Sequence, residues 1–425
     1  MIQKEMFSLH LMKFNKKDFI TFAGIKTSNN MKKTWAIFTL MMTFVLAQPI
    51  AVQAQNWVGT WATAVEFTSP GDMPASSLSN RSVRNIIRVS LGGSLLRLKL
   101  SNEFSTQPVE ITSVMIADVL GESWQTDVQT TKYLKFSGKQ KTTIPSEKAL
   151  WSDPIKYVLK AGQRLAITIS YGAQTPEHAT SHRGSRTTSY IIKGEARPKS
   201  NFDDSEKVDH WYNLSALDVQ ATDVPVVAVL GNSITDGRGT TTNKQNRWTD
   251  FMAESLNTNK SYGVLNLGIG GNCVVRGGLS EPALKRFDRD ILGQSGVKTL
   301  ILFEGTNDIG LSKDSEQIVK ELIEAYQMLS LKAKNKGIKV YGATITPFKG
   351  SDWYSYFHEA ARQTVNEWIR NTDCFDGIID FDKLVRNPQD TEKLKSEYSD
   401  DWLHLNPKGY EAMGRYAATI LGNKP

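Results

Sequence analysis

The sequence predicts an α/β fold built on a parallel sheet in its second half, preceded by an antiparallel β-sandwich. From Trp57 to about Asp223 apolar and polar residues alternate with a period of two, and turn signals interrupt the pattern often. This is typical of half-buried antiparallel strands. Beyond that point, continuous apolar runs alternate with amphipathic helical segments, as in a parallel sheet covered by helices. We therefore expect a sandwich domain at 55–223 and an α/β domain at 224–425.

The N-terminal segment, residues 1–54, carries a targeting signal instead of a folding pattern. Met31-Lys32-Lys33 precedes an apolar stretch at 35–46, and residues 51–54 (AVQA) end in a small-x-small pattern. We expect a signal peptide at about 31–54, translation starting at its first methionine, and a secreted or periplasmic product. An uncleaved N-terminal anchor is the alternative. No later segment approaches the roughly 20 apolar residues that a membrane span needs.

Composition excludes some function classes. The chain of 425 residues has a hydrophobic fraction of 40% and a formal net charge of +7. Residues 1–54 hold seven lysines and two acidic residues, so the remaining chain retains +2. A nucleic-acid-binding protein would need a clustered basic face, and none is visible, so we expect no nucleic-acid partner. The oligomeric state stays open.

The first half contains several short strands. An antiparallel hairpin is predicted around the Gly92-Gly93 pair. Alternating apolar residues precede the pair at Ile87, Val89 and Leu91 and follow it at Leu96, Leu98 and Leu100. Further strands are expected at 109–119 and 165–171, and their total number is open. Residues 182–188 (HRGSRTT) are expected to form a solvated polar loop. The alternative is a loop that reaches over the mouth of the α/β domain and touches a sugar.

The second half contains buried strands and amphipathic helices. Strands are expected at 226–230, 263–267, 297–303, 338–345 and 375–381, and helices at 315–336, 356–370 and 409–420. The inward helical positions are Ile318, Leu322, Tyr326, Leu329, Ala360, Val365, Trp368, Ile369, Tyr410, Met413 and Ala417. Cys273 and Cys374 are expected to be two buried, unpaired thiols, with a disulfide as the alternative.

Four short segments carry candidate chemistry: GNSITDG (231–237), NLGIGGN (266–272), GTND (305–308) and DWLH (401–404). Ser233 falls where a buried strand ends and a Gly-rich turn begins, which is where α/β folds expose reactive groups. Asp401 precedes His404 by three residues, so its carboxylate can hold one imidazole nitrogen while the other faces Ser233. The pattern indicates an activated serine.

These blocks resemble the SGNH/GDSL hydrolase superfamily over roughly residues 224–422. The resemblance implies a flavodoxin-like, three-layer α/β/α domain in which Ser233 attacks an ester carbonyl, His404 transfers the proton and Asp401 orients the imidazole. It further implies an oxyanion hole made of the backbone N–H groups of Ser233 and Gly271 and the side-chain amide of Asn307. No metal and no organic cofactor are implied.

One residue departs from the family pattern, because Asn232 stands where the family usually carries Asp. Asn keeps a carbonyl acceptor, so its part in bracing the loop can survive although the charge is gone. The resemblance gives Asp236 and Asp308 structural hydrogen-bonding roles, not those of a glycosidase acid pair. Secreted members with an N-terminal β-domain resemble acetylxylan esterases, so we expect a serine esterase that deacetylates polysaccharides or oligosaccharides. The alternatives are a lipase or lysophospholipase and a non-catalytic glycan-binding protein.

Overall fold

The computed structural model describes residues 56–422, so the signal peptide expected at 31–54 lies outside the described residues. The strands of the first half are β1 (Trp57–Ala62), β2 (Glu66–Phe67), β3 (Arg81–Arg88), β4 (Gly93–Ser101), β5 (Val109–Asp118), β6 (Lys132–Tyr133), β7 (Thr142–Ile144), β8 (Ala149–Trp151), β9 (Ile155–Leu159), β10 (Arg164–Tyr171), β11 (Thr180–Arg183), β12 (Ser189–Lys193), β13 (Glu206–Val208), β14 (His210–Tyr212) and β15 (Leu214–Gln220).

These strands form antiparallel sheets. One follows the order β1-β15-β4-β8 with β9 also on β4, and a second follows β13-β12-β3-β10-β5-β6 with β7 also on β5. A smaller sheet joins β14, β11 and β2. Leu96 and Leu98 of β4 share one buried core with Leu165 and Ile167 of β10, so the two larger sheets pack against each other. The predicted β-sandwich is confirmed.

The hairpin predicted around Gly92 is wrong. Strand β3 pairs with β10 and β12, whereas β4 pairs with β15, β8 and β9. The chain therefore crosses from one sheet to the other at this point. A Cβ on Gly92 would lie 2.7 Å from the Leu159 carbonyl oxygen, so glycine permits the close approach. Alternation predicted β4 correctly, but of the first predicted strand only Ile87 lies in β3, which ends at Arg88. The pattern also carries no information about which strands pair.

The second half is a parallel sheet of β16 (Val226–Gly231), β17 (Gly263–Gly268), β18 (Val297–Phe303), β19 (Lys339–Ala343) and β20 (Gly377–Ile379), in the order β17-β16-β18-β19-β20. This is the flavodoxin-like order, in which ligands bind beyond the carboxyl ends of the strands, where the order reverses. The helices are α1 (Ser233–Asp236), α2 (Trp248–Leu256), α3 (Ala283–Phe287), α4 (Thr306–Leu311), α5 (Ser315–Lys334), α6 (Tyr356–Asn371), α7 (Phe381–Val385) and α8 (Pro407–Gly422).

The sheet separates two cores. On the central strand β16, Val227 and Val229 belong to the same buried cluster as residues of α2 and α8. Ala228 and Leu230 belong instead to the cluster that includes residues of α5 and α6. Helices therefore cover both faces, and the three-layer α/β/α prediction is confirmed.

The element boundaries differ slightly from expectation. Phe381 begins α7 instead of ending a strand. On α6 the buried positions are Ala361, Val365 and Ile369, while Ala360 is exposed. The inward-facing stripe was predicted to begin at Ala360 but begins at Ala361, because buried positions spaced by four lead back from Ile369 to Ala361. Cys273 and Cys374 are both unpaired, as expected, but only Cys273 is buried. The prediction of two buried thiols is wrong for Cys374, which is partly exposed.

The two halves share a continuous core, and the described residues belong to one compact unit. The edge strand β17 lies against β1, where a Cβ on Gly59 would meet the Leu265 side chain at 2.9 Å. The Val264 N–H on this edge donates to Ser90 Oγ (2.8 Å). The domain boundary near residue 223 therefore stays a prediction. No helix within 56–422 has the length and apolar character needed to cross a membrane.

Candidate active site

Ser233 lies at a sharp strand-to-helix turn. Strand β16 ends at Gly231 and α1 begins at Ser233, with Asn232 as its N-cap. Asn232 Oδ1 accepts a hydrogen bond from the Ile234 N–H (3.0 Å), so the amide does brace this turn. A Cβ on Gly231 would lie 2.1 Å from Thr235 Oγ1, so only glycine permits so tight a turn. The Ser233 hydroxyl is thereby directed out of the strand end.

The structure brings Ser233, His404 and Asp401 together. Ser233 Oγ lies 2.8 Å from His404 Nε2. The other imidazole nitrogen, Nδ1, lies 2.7 Å from Asp401 Oδ2. With the carboxylate accepting from Nδ1–H, Nε2 is the free acceptor that faces the hydroxyl. The arrangement can take a proton from Ser233 and stabilise the imidazolium that results.

Asp401 is held by its own loop. Its Oδ1 accepts hydrogen bonds from the N–H groups of Leu403 (3.0 Å) and His404 (2.7 Å). The intervening Trp402 has a φ of 60°, which turns the chain so that both N–H groups face the carboxylate. Partial burial favours a higher pKa for Asp401, but the hydrogen bonds from His404 and Leu403 hold its pKa well below the ordinary range. Asp401 is therefore ionised at neutral pH.

The three groups that the resemblance implies as oxyanion donors each have an N–H that no protein acceptor occupies in the described part of the chain. Among hydrogen bonds within residues 56–422, the N–H groups of Ser233 and Gly271 have no acceptor. Asn307 Nδ2 donates to the Asn272 carbonyl (2.8 Å), and its second N–H hydrogen remains. Trp353 Nε1 donates to Asn307 Oδ1 (3.1 Å). Because an indole nitrogen can only donate, Trp353 fixes which end of the amide is the donor.

A buried guanidinium connects the strand ends that carry these groups. Arg286, which is fully buried, donates to the carbonyls of Gly231 (3.1 Å) and Leu267 (2.8 Å) and to Asn272 Oδ1 (2.9 Å). Its charge is balanced by Asp290 at 3.1 Å. The end of β16, the end of β17 and the loop beside Gly271 are thus fixed relative to one another.

The sandwich contributes charged residues to the nucleophile helix. Asp236 accepts from His182 Nε2 (2.9 Å) and from Arg186 Nη2 (2.6 Å), while His182 Nδ1 faces the Ala64 carbonyl oxygen at 2.8 Å. Since both ring nitrogens face acceptors, His182 carries two N–H groups and is an imidazolium. We call His182, Arg186 and Asp236 the interface triad. The solvated loop expected at 182–188 is wrong, because His182 is buried in β11 against Asp236. Ser185 and Thr187 are buried as well, and none of the residues 182–188 is exposed.

Asp236 and Asp308 are both occupied by protein groups, so they do not act as a pair. Asp308 accepts hydrogen bonds from the N–H groups of Val274 and Val275. Burial raises the pKa of Asp308 to about 6, although these N–H groups oppose the shift. Its position fixes the chain just after Gly271, which agrees with the structural role expected for it.

Three contributors escaped the sequence analysis: Trp353, Arg286 and the contacts that His182 and Arg186 make with Asp236. Trp353 follows no motif, and its partner Asn307 lies 46 positions away. Arg286 has one weak signal, an arginine on the otherwise apolar face of Ala283 and Phe287. His182 has none, because its partner belongs to the other half of the chain.

Comparison with known proteins finds one matching family model and several similar solved structures. The model of the GDSL-like lipase/acylhydrolase family matches residues 229–412. The chain resembles the solved structure of a GDSL-like lipase from Bacteroides thetaiotaomicron, at 19% identity over 46% of this chain and 85% of that one, with a TM-score of 0.34. It also resembles a carbohydrate acetylesterase from Sinorhizobium meliloti, at 13% identity over 47% and 98%, with a TM-score of 0.38. No curated protein matched.

The matched span contains the strand-end serine, the Gly271 and Asn307 loops and the Asp401–His404 pair in one continuous arrangement. Residues 229–412 of this chain therefore form a GDSL-like lipase/acylhydrolase domain, that of a carboxylic ester hydrolase.

Proposed function

We propose that the protein is a secreted serine esterase that removes short acyl groups, acetyl above all, from polysaccharides or oligosaccharides through a covalent intermediate on Ser233. The observation that carries the proposal is the 2.8 Å contact between Ser233 Oγ and His404 Nε2, with Asp401 behind the imidazole. The segment at 31–54 supports secretion, since it has the pattern of a cleaved signal.

In the first half-reaction Ser233 Oγ attacks the ester carbonyl carbon while His404 Nε2 takes the hydroxyl proton. The tetrahedral oxyanion accepts hydrogen bonds from the donors at Ser233, Gly271 and Asn307. The intermediate collapses, the carbon–oxygen bond to the alcohol breaks, and His404 returns the proton to the departing alcohol. The acyl group is left as an ester of Ser233.

In the second half-reaction water attacks the acyl carbon, and His404 takes one of its protons. Collapse of the second tetrahedral intermediate breaks the bond to Ser233 Oγ, which recovers its proton from His404. Acetic acid leaves, and the enzyme is restored. Asp401 stays ionised throughout, which is consistent with its lowered pKa.

Asn307→Ala is expected to lower kcat about 100-fold to 1000-fold with a smaller effect on KM, because the lost donor serves the transition state. Trp353→Phe keeps a ring but removes the N–H that orients Asn307. Losing one buried partner costs about 1–3 kcal/mol, so a roughly tenfold loss of kcat is expected. The measurement is steady-state hydrolysis of p-nitrophenyl acetate.

Trp124→Phe is the matched control, because Trp124 Nε1 also donates to a side-chain oxygen, Asp203 Oδ1 at 3.0 Å, but on the sandwich. Its kcat should equal that of the wild type. If Trp353→Phe retained full kcat, or if the control lost as much, the proposed orientation of Asn307 by Trp353 would be refuted.

The short acyl group is supported by the side chains around the oxyanion donors. Leu279 packs against Gly271, where a Cβ would lie 2.9 Å from Leu279 Cγ. Trp353 contacts Asn307. A bulky side chain thus lies beside each of these two donors, which favours a short acyl group such as acetyl over long chains.

The test is a chain-length series of p-nitrophenyl esters, followed by acetate release from acetylated xylan and acetylated pectin, with Ser233→Ala as the blank. We expect kcat/KM to fall steeply beyond about four acyl carbons and acetate to be released from a polysaccharide. A maximum at eight or more carbons would indicate a lipase. Polysaccharide binding with no turnover of any ester would indicate a non-catalytic glycan-binding protein.

A further inference from the structure

Two neighbouring aromatic side chains at the start of α6 are almost fully exposed. Tyr356 is 82% and Phe357 77% exposed, more than any other large hydrophobic side chain within residues 56–422. Adjacent exposed rings are costly to hydrate and commonly mark a contact surface. The pair faces away from the buried stripe of the helix, at Ala361, Val365 and Ile369.

The rings stand on a fixed support. Ser355 Oγ caps α6 by accepting from the His358 N–H (3.1 Å). The His358 ring bridges the Trp353 carbonyl oxygen (2.7 Å) and the Ser312 carbonyl oxygen (3.0 Å). The segment is therefore held at both ends of its turn. A surface that is already ordered loses little conformational entropy when a ligand binds.

The same segment leads directly to the oxyanion side of the active site. Trp353 lies three residues before Tyr356 and donates to Asn307 Oδ1 at 3.1 Å. Its ring also covers α4, because a Cβ on Gly310 would lie 2.6 Å from Trp353 Cγ. One continuous stretch of chain thus runs from Asn307 outward to the exposed pair.

The neighbouring charges distinguish between candidate ligands. The Tyr354 ring lies 6.0 Å from that of Tyr356, and its hydroxyl donates to Glu392 Oε2 (2.7 Å). That hydrogen bond lowers the pKa of Glu392, so the carboxylate is ionised. Lys349 contacts both Glu392 (3.0 Å) and Asp390 (3.1 Å), so two carboxylates face one cation. An anionic lipid surface or an anionic polysaccharide would be repelled there.

We propose that Tyr356 and Phe357 form a subsite for a neutral polysaccharide, on which the C–H faces of its sugar rings stack while an acyl group of the same chain lies at Ser233. We call this pair the aromatic platform. The proposal rests on the proposed esterase function, which places the acyl group of the bound chain at Ser233. A small ester held at Ser233 has no sugar rings to stack on the platform, so its hydrolysis does not depend on the pair.

The test compares Tyr356→Ala/Phe357→Ala with Met328→Ala/Leu331→Ala, a double variant of two exposed apolar side chains on α5 (54% and 61% exposed). For the platform variant we expect KM on acetylated xylan to rise roughly tenfold, from the loss of two ring contacts. Its kcat/KM on p-nitrophenyl acetate should be unchanged, and the α5 variant should behave as wild type on both. Tyr356→Phe/Phe357→Tyr, which keeps both rings, should restore xylan binding.

An equal loss on both substrates, or no change on xylan, would overturn the platform. Binding of unsubstituted xylan is also measured calorimetrically in the Ser233→Ala background, where catalysis plays no part. Loss of xylan binding in the platform variant supports the subsite even if the wild type turns over no ester. The absence of turnover would refute only the proposed function. Loss of binding to phosphatidylglycerol vesicles, with xylan binding intact, would identify a membrane surface and overturn the proposal.

Discussion

Ser233→Ala is expected to lower kcat on p-nitrophenyl acetate by at least about 10⁴-fold while the protein stays folded. The variant removes the group that forms the acyl-enzyme, and removing a serine nucleophile of this kind costs up to about 10⁶-fold. The fold should survive, because Ser233 Oγ makes one side-chain hydrogen bond, to His404 on a surface loop. The measurements are burst and steady-state kinetics together with the thermal melting temperature.

His404→Ala should lose a similar factor, also without unfolding. Because the two residues act as one unit, Ser233→Ala/His404→Ala should be no slower than Ser233→Ala alone. Additive losses would mean that the 2.8 Å contact between them has no catalytic meaning. A collapse of the melting temperature in His404→Ala would mean that its role is structural, and equal turnover by wild type and Ser233→Ala would reject Ser233 as the nucleophile.

Asp236→Ala is expected to lower the free energy of unfolding by about 3–5 kcal/mol, because it leaves the buried charges of His182 and Arg186 without their carboxylate. Both Asp236 and His182 are almost fully buried. Urea titration provides the measurement. Glu122→Ala is the matched control, since the Lys244–Glu122 pair also joins the two halves but is largely exposed. Its urea midpoint should hardly change, and an equal shift in both variants would contradict the importance of burial.

The interface triad also predicts a pH dependence. Burial favours a lower pKa for His182, but Asp236 outweighs it and raises the pKa of His182 above its ordinary value. Burial likewise opposes ionisation of Asp236, yet Arg186 and His182 lower its pKa. A histidine whose pKa is raised by folding stabilises the folded state fully below about pH 6.5, its unfolded pKa. This stabilisation is lost as the pH rises through the pKa that the histidine has in the folded state. A lowered carboxyl pKa stabilises above about pH 4, and that stability is lost in acid.

The triad should therefore stabilise most between about pH 4 and 6.5. His182→Gln keeps an N–H donor for Asp236 but does not titrate. In this variant the decline of stability on the alkaline side of neutrality should be smaller than in the wild type. Urea midpoints measured from pH 5 to pH 9 provide the test, and parallel profiles for the two proteins would refute a charged His182.

Sequence patterns predicted the features that depend on residues close together in the chain. Strand β18 was predicted residue for residue at 297–303, because an apolar run between polar segments is a local signal. Ser233 and His404 were identified as a pair from motifs, and the structure places them in contact, although their roles stay predictions. The partner strands of β3 and β4 could not be predicted, because all of them lie far from Gly92 in sequence.

Long-range burial explains the other misses. Polar residues such as His182 are normally exposed, and only a carboxylate contributed by the other half of the chain makes burial favourable here. The role of Trp353 could not be predicted for the same reason. It depends on a long-range contact with Asn307 that no sequence spacing indicates. Local patterns identified the candidate chemical groups, whereas tertiary contacts decide how firmly those groups are held.

The contact between β1 and β17 has a consequence for solubility. An uncovered apolar border strand is a template on which other chains can assemble into fibrils or precipitates. Here the first strand of the sandwich and the hydroxyl of Ser90 occupy that border at Gly263 and Val264. A shortened gene encoding only the hydrolase portion would leave this border bare, and the resulting fragment would be a poor choice for production or crystallisation.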